Sequence, residues 1–176
     1  LFLLLAIYSL FNTIEQTKPY SNIFNTGFLV GVSALFYFNI IVLLPAFFIG
    51  ITILVREKTW RGFMILLIGF FVPIIFAFSY LIFTEQALMM LKTFEGNIVT
   101  RVNYFRSNIP FYILLSFLVL LTLTGSIKIV QQYDSKKIST RKFFSFFFTI
   151  FILSLLSIAF VPGTSQEIVV VIAIPI

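Results

Sequence analysis

The sequence predicts an all-α fold, a polytopic transmembrane helix bundle, on the basis of three observations. Of the 176 residues, 60% are apolar and only 10% are charged, whereas about 25% of the residues in a soluble domain are charged. The apolar residues form runs, and several runs approach the ~20 residues that a helix needs to cross a bilayer. These runs lack the alternation that a lipid-facing β-barrel requires. Lipid is therefore the expected solvent.

Six apolar runs follow one another along the chain. They are Leu1–Phe11, Gly27–Val55, Gly62–Phe83, Pro110–Gln131, Phe143–Val161 and Ile168–Ile176. The first and the last would each cover only about half of a bilayer core. We therefore expect about four full spans and two truncated ones. They would form a single transmembrane domain over residues 1–176, an internal fragment of a longer polytopic protein.

The second run, Gly27–Val55, is too long for one simple span. A helix of its 29 residues would measure roughly 43 Å, against a bilayer core of ~30 Å. Asn39 lies near its middle, and Pro45 would remove a helical hydrogen bond. The run is either one tilted, kinked span or a short helix over Gly27–Phe38 followed by a second helix from Ile40. The sequence favours two helices, with a break that must be buried in protein or line a cavity.

Other residues in these runs indicate helix packing. Gly27 and Gly31 form a Gly-x-x-x-Gly pair, which permits close contact between helices. Pro73 lies in the middle of the third run, where a kink is expected. Asn39 is costly in lipid unless it is paired. We therefore expect Asn39 to hydrogen-bond across helices or to backbone freed at the break.

The charges between the runs predict the orientation of the chain. Arg56–Arg61 carries three basic residues and Lys128–Lys142 carries five, so the positive-inside tendency places both connections in the cytoplasm. The remaining connections face outward, provided that Gly27–Val55 crosses the membrane once in total. These outward connections are Asn12–Thr26, Thr84–Ile109 and Pro162–Glu167. The expected location is the inner (cytoplasmic) membrane of a bacterium.

The connection Thr84–Ile109 is the longest polar segment, and we expect it to carry any binding site. Its part Gln86–Phe94 is too short to span and suits a helix at the membrane interface. Arg101 and Arg106 flank aromatic residues, and two guanidinium groups at this level could bind a lipid phosphate through paired hydrogen bonds. The plainer interpretation is that they only anchor the segment at the interface.

The composition excludes several kinds of chemistry. The chain has no cysteine and no histidine, so we expect no metal, no cofactor and no disulfide. The carboxylates on the predicted outward side are isolated, and we expect them to be solvated. They are Glu15, Glu85, Glu95 and Glu167. The absence of buried charges from the apolar runs argues against an ion-coupled carrier. The basic residues lie between the runs, so nucleic acid is not an expected partner.

Parts of the chain resemble two groups of membrane proteins. The stretch Gly27-Phe-Leu-Val-Gly-Val-Ser-Ala-Leu35, the basic turn before Trp60 and Arg61, and Pro73 are similar to a segment of polytopic glycosyltransferases that use lipid-linked sugars (the GT-C type). The basic residue common after the leucine is absent, and the catalytic acidic residue has no match, so no catalytic residue is carried over. Phe160-Val-Pro-Gly-Thr-Ser-Gln-Glu167 and the ending Ile174-Pro-Ile resemble uncharacterised multi-pass inner-membrane proteins of Bacteroidota-type bacteria.

The resemblance implies a GT-C-like transferase, or a relative that has lost activity, which handles lipid-linked envelope substrates. The alternative is a non-catalytic membrane subunit or scaffold of a larger complex that packs through Phe-rich faces such as Phe143–Phe148. A transporter component is the third hypothesis. The expected partners are membrane lipids, together with a lipid-linked sugar or partner membrane subunits. Whether the protein is an enzyme stays open.

Overall fold

The structure, a computed structural model, describes most of the N-terminal half of the chain and one long helix near the C-terminus. The described residues are 1–14, 19–54, 60–84, 113–114, 116–122, 124–125 and 138–160. Their main helices are α1 (Phe2–Phe11), α2 (Tyr20–Phe36), a 3-10 helix (Phe38–Leu43), α3 (Leu44–Leu54), α4 (Trp60–Phe83) and α5 (Ile138–Phe160). No strand occurs in these residues. The prediction of an all-α fold is confirmed for this part of the chain.

The chain divides into two compact units, Leu1–Thr100 and Arg101–Ile176. Helices α1 to α4 belong to the first unit and α5 belongs to the second. Within the first unit, α2 packs against both α1 and α4, so it is the central helix. The core of this unit is built mainly where other helices meet α2.

α1 and α2 form an antiparallel pair. The buried side chains of α1 recur at the three- and four-residue spacing of one helix face. They are Leu3, Ala6, Ile7 and Leu10. The ring of Phe2 stacks on the ring of Phe36, with centroids 5.6 Å apart. The start of α1 therefore lies beside the end of α2.

α2 and α4 run parallel to each other. Gly27 in α2 lies against Leu66 and Phe70 in α4, and Gly31, one turn further along α2, lies against Phe70 and Pro73. Contacts therefore advance along both helices in the same direction. The N-termini of α2 and α4 consequently lie at the same end of the unit.

α3 runs in the direction opposite to α2 and α4, back toward the start of α4. It follows the end of α2 directly, through the 3-10 helix. Near its own end, Ile51 lies 3.5 Å from the position that a Cβ on Gly62 would take, and the ring of Phe48 lies 5.6 Å from that of Phe63. α3 thus returns to the start of α4. The segment Tyr20–Leu54 is a helical hairpin, whose tip lies at Tyr37–Leu43.

Two helices in the described part of the chain are long and apolar enough to cross a membrane. They are Trp60–Phe83, with a mean hydropathy of 2.6, and Thr140–Ser157, with a mean hydropathy of 1.4. Phe2–Phe11 and Phe38–Leu54 are apolar but shorter. α2, with 17 residues, would measure about 26 Å. In the described residues, helix length and composition thus support two spans, which is fewer than the four full spans that the sequence predicts.

Candidate functional site

α2 and α4 touch backbone to backbone at three glycines. A Cβ on Gly27 would overlap the carbonyl oxygen of Leu66, and a Cβ on Gly31 would overlap that of Phe70. From the other side, a Cβ on Gly69 would lie 2.5 Å from the carbonyl oxygen of Phe24. No methyl group fits at these positions. The predicted packing residues Gly27 and Gly31 thus lie at this crossing. The packing role of Gly69 could not be recognised before its partner helix was known.

Pro73 belongs to the same contact. It is buried inside α4, which continues as one helix from Trp60 to Phe83. Its ring carbon Cγ lies 2.6 Å from where a Cβ on Gly31 would be. The missing N–H of Pro73 leaves the carbonyl of Gly69 without its usual helical donor. Pro73 therefore shapes the surface of α4 that α2 covers.

The break that the sequence predicts within Gly27–Val55 lies at the tip of the hairpin. α2 ends at Phe36 because Tyr37 is extended, with φ −142° and ψ 100°, although its N–H still donates to the carbonyl of Ser33. The chain thus has two helices here, but the first spans Tyr20–Phe36 instead of Gly27–Phe38 and the second begins after a 3-10 helix. Pro45 is the second residue of α3. At a helix start a proline removes no hydrogen bond, so Pro45 begins a helix and does not kink one.

Asn39 lies in the 3-10 helix at this tip and is only 9% exposed. Its Nδ2 donates a hydrogen bond of 3.3 Å to the hydroxyl of Tyr37. This bond lies within the tip, and the predicted bond of Asn39 across helices or to freed backbone stays a prediction. Asn39 and Tyr37 together form a neutral polar pair at the end of an apolar hairpin.

A second polar cluster joins α1 to α2 at the other end of the unit. The carbonyl oxygen of Asn22 accepts hydrogen bonds from Ser9 (3.0 Å) and from Thr26 (2.8 Å). The Ser9 bond crosses between the helices. Nδ2 of Asn22 is buried and has no hydrogen-bond partner in the structure. Sequence reasoning missed this cluster, because it assigned Asn22 and Thr26 to an outward connection and Ser9 to an apolar run.

The predicted lipid-phosphate residues, Arg101 and Arg106, lie outside the described residues. The same holds for the predicted interfacial helix Gln86–Phe94 and for Glu15, Glu85, Glu95 and Glu167. Within the described ranges, the charged side chains are Arg61, Arg141 and Lys142. Arg61 is near the start of α4, and the other two are near the start of α5. No group of residues suited to hold a metal ion occurs in these ranges.

The chain belongs to a family of unknown function, DUF6427, whose match covers residues 1–176. This agrees with the resemblance to an uncharacterised protein family. No curated protein and no solved structure matches the chain.

Proposed function

We propose that this member of the DUF6427 family is a multi-pass protein of a bacterial inner membrane, in which α1 to α4 form a rigid scaffold. The scaffold would hold the segment that follows Thr84 at the outer surface. The observation that carries the proposal is the two-sided character of α4. One face packs on glycines without a gap, while the other faces expose large apolar side chains.

The exposed faces of α4 suit lipid. Its exposed apolar side chains lie along its whole length: Trp60, Met64, Ile68, Phe71, Ile75, Phe76, Tyr80, Ile82 and Phe83. A helix that is apolar all round belongs in a protein core or in a membrane, and these side chains are not in the core. Lipid does not drive apolar helices together, so helices in lipid associate mainly through close packing of small residues. The contact at Gly27, Gly31 and Gly69 is of this kind.

The hairpin revises the topology expected from the sequence. The outward assignment of Asn12–Thr26 assumed that Gly27–Val55 crosses once. Because α2 and α3 are antiparallel, α1 and α3 end on the side where α2 and α4 begin. The connections 12–19 and 55–59 therefore join helix ends on the same side. We therefore place 12–19 in the cytoplasm beside 55–59.

This arrangement increases the difference in the number of basic residues between the two sides of the membrane. With one crossing, four of the 12 basic residues lie on the outer side; with the hairpin, only three do, because Lys18 moves to the cytoplasmic side. The three are Lys92, Arg101 and Arg106. A stronger bias of Lys and Arg toward one side is what the positive-inside tendency favours. The predicted cytoplasmic assignment of 56–61 and 128–142 is kept.

The position of the end of α4 determines on which side of the membrane the segment Thr84–Ile109 begins. α4 starts at the cytoplasmic end and finishes at Phe83, so Thr84 begins this segment on the outer side. Lipid-linked envelope substrates present their phosphates at that level. We keep Arg101 and Arg106 as the residues that would bind such a phosphate, in a GT-C-like transferase or an inactive relative.

A non-catalytic subunit of a larger membrane complex is the second candidate function. The observation that favours it lies on α5, where Phe148, Ile152 and Leu156 are exposed at four-residue spacing, while Phe146 of the same Phe-rich run is buried. This stripe would suit a partner helix. A transporter component is the third candidate, and the broken hairpin is the feature that suits it.

Extraction of membranes with alkaline carbonate tests the membrane assignment. The full chain should stay in the pellet, because its apolar faces would be covered by lipid. Release into the supernatant would overturn the proposal. Purification in mild detergent then separates the candidates, since a stoichiometric partner without bound lipid-linked sugar favours the subunit.

A further inference from the structure

The second arm of the hairpin, residues 38–54, changes from one kind of helix to another along its length. Phe38–Leu43 form a 3-10 helix, and Leu44–Leu54 form α3. A 3-10 helix of six residues is long, because runs beyond three or four residues are uncommon. A local cause for the 3-10 form is therefore expected in the neighbouring sequence.

Pro45 supplies such a cause through the carbonyl of Ile41. In an α-helix that carbonyl would accept a hydrogen bond from the N–H of the fourth residue after it. This residue is Pro45, which has no N–H and whose ring would crowd the carbonyl of Ile41. The N–H of Leu44 donates to the carbonyl of Ile41 instead, which is the three-residue bond of a 3-10 helix. The same kind of bond joins the N–H of Ile40 to the carbonyl of Tyr37, over 3.1 Å.

The packing of this arm does not by itself require the 3-10 form. Its buried positions include Ile40, Leu43, Phe47, Gly50 and Leu54. These positions follow one another at spacings of three and four residues, so they would share one face of a continuous α-helix as well. The buried face is thus compatible with either form, which leaves Pro45 as the residue that selects between them.

We propose that Pro45 holds residues 38–43 in the 3-10 form and thereby sets the length of the arm and the direction of Asn39. If the whole arm were α-helical, these six residues would rise about 9 Å instead of about 12 Å. Asn39 would also turn by about 100° around the helix axis relative to α3, because a residue turns about 120° in a 3-10 helix and about 100° in an α-helix. This turn would re-aim the amide that now donates to the hydroxyl of Tyr37. The proposal concerns the backbone of the hairpin and does not depend on the membrane assignment.

The distance between two spin labels on the full chain, purified in mild detergent, tests this role of Pro45. The chain has no cysteine, so Phe38→Cys and Thr52→Cys place the labels at the two ends of the arm, where pulsed electron paramagnetic resonance measures their separation. Pro45→Ala should shorten the mean distance by about 3 Å, because the added N–H lets α3 continue back through the tip. A second label pair, at Met64→Cys and Tyr80→Cys, lies on exposed positions of α4. Its distance should not change.

Tyr37→Phe is the matched control variant. It removes the hydroxyl that accepts the hydrogen bond from Asn39 but leaves Pro45 in place, so the distance along the arm should stay as in the wild type. Shortening in Pro45→Ala alone, with an unchanged distance in α4, would support the proposal. An unchanged arm in Pro45→Ala would overturn it, because packing would then hold the 3-10 form. Shortening in Tyr37→Phe would also overturn it, because the polar pair would then be what holds the tip.

Discussion

Gly27 of α2 and Gly69 of α4 lie so close that a Cβ on Gly69 would be 3.3 Å from the Cα of Gly27. The two backbones therefore meet without side chains between them. In a membrane, this distance of approach is what allows dispersion forces to hold two helices together.

Gly69→Ala should destabilise the protein, since its new methyl group would meet the carbonyl oxygen of Phe24. Overpacking of this kind typically costs about 1–3 kcal/mol. Gly62→Ala is the matched control, because its Cβ would find only ordinary contacts at 3.5 Å and 3.6 Å with Ile51 and Ile23. Thermal unfolding in detergent should show a lower midpoint for Gly69→Ala and an unchanged or higher one for Gly62→Ala. Equal midpoints would contradict the close backbone contact between α2 and α4.

The run pattern predicted the helical class and the position of the break, but not the direction of α3. Run length alone does not distinguish one tilted span from a hairpin, because direction depends on contacts between distant residues. The start of α2 was also missed. Tyr20, Ser21 and Asn22 look like a polar connection, yet Pro19 precedes a helix that buries Ile23. The partner of the glycine pair could not be chosen either, since Gly69 is recognisable only from its contact with Gly27.

Asn22→Leu should leave stability unchanged or raise it by up to about 1 kcal/mol, because it removes a buried amide that has no partner. The carbonyl oxygen that accepts from Ser9 and Thr26 is backbone and would remain. Asn39→Leu should have the opposite effect, costing roughly 1 kcal/mol, since it removes the bond to Tyr37. Thermal unfolding of both variants checks the pair. A loss of stability in Asn22→Leu as large as that in Asn39→Leu would argue for a partner of Asn22 outside the chain.

Replacement of both Arg101 and Arg106 by Gln should abolish binding of a lipid phosphate, because glutamine is polar but has neither the charge nor the paired donors of a guanidinium group. The measurement is binding of a polyprenyl phosphate to the protein purified in mild detergent, compared with binding of the uncharged polyprenol. Lys92→Gln, a single charge removed from the same segment, is the control and should bind as the wild type does. Unchanged binding by the double variant, with an unchanged unfolding midpoint, would leave the two arginines as interfacial anchors only.

The hairpin predicts which connections share a side of the membrane. The chain has no cysteine, so single introduced cysteines can be labelled without background. Asn12→Cys and Thr59→Cys should react with an impermeant maleimide only after the cells are opened, because α1 and α3 end on the side where α2 and α4 begin. Thr84→Cys, at the far end of α4, should react in intact spheroplasts. If Gly27–Val55 crossed once, Asn12→Cys would instead label together with Thr84→Cys. That outcome would mean that α2 and α3 do not form an antiparallel hairpin in the membrane, and it would return Lys18 to the outer side.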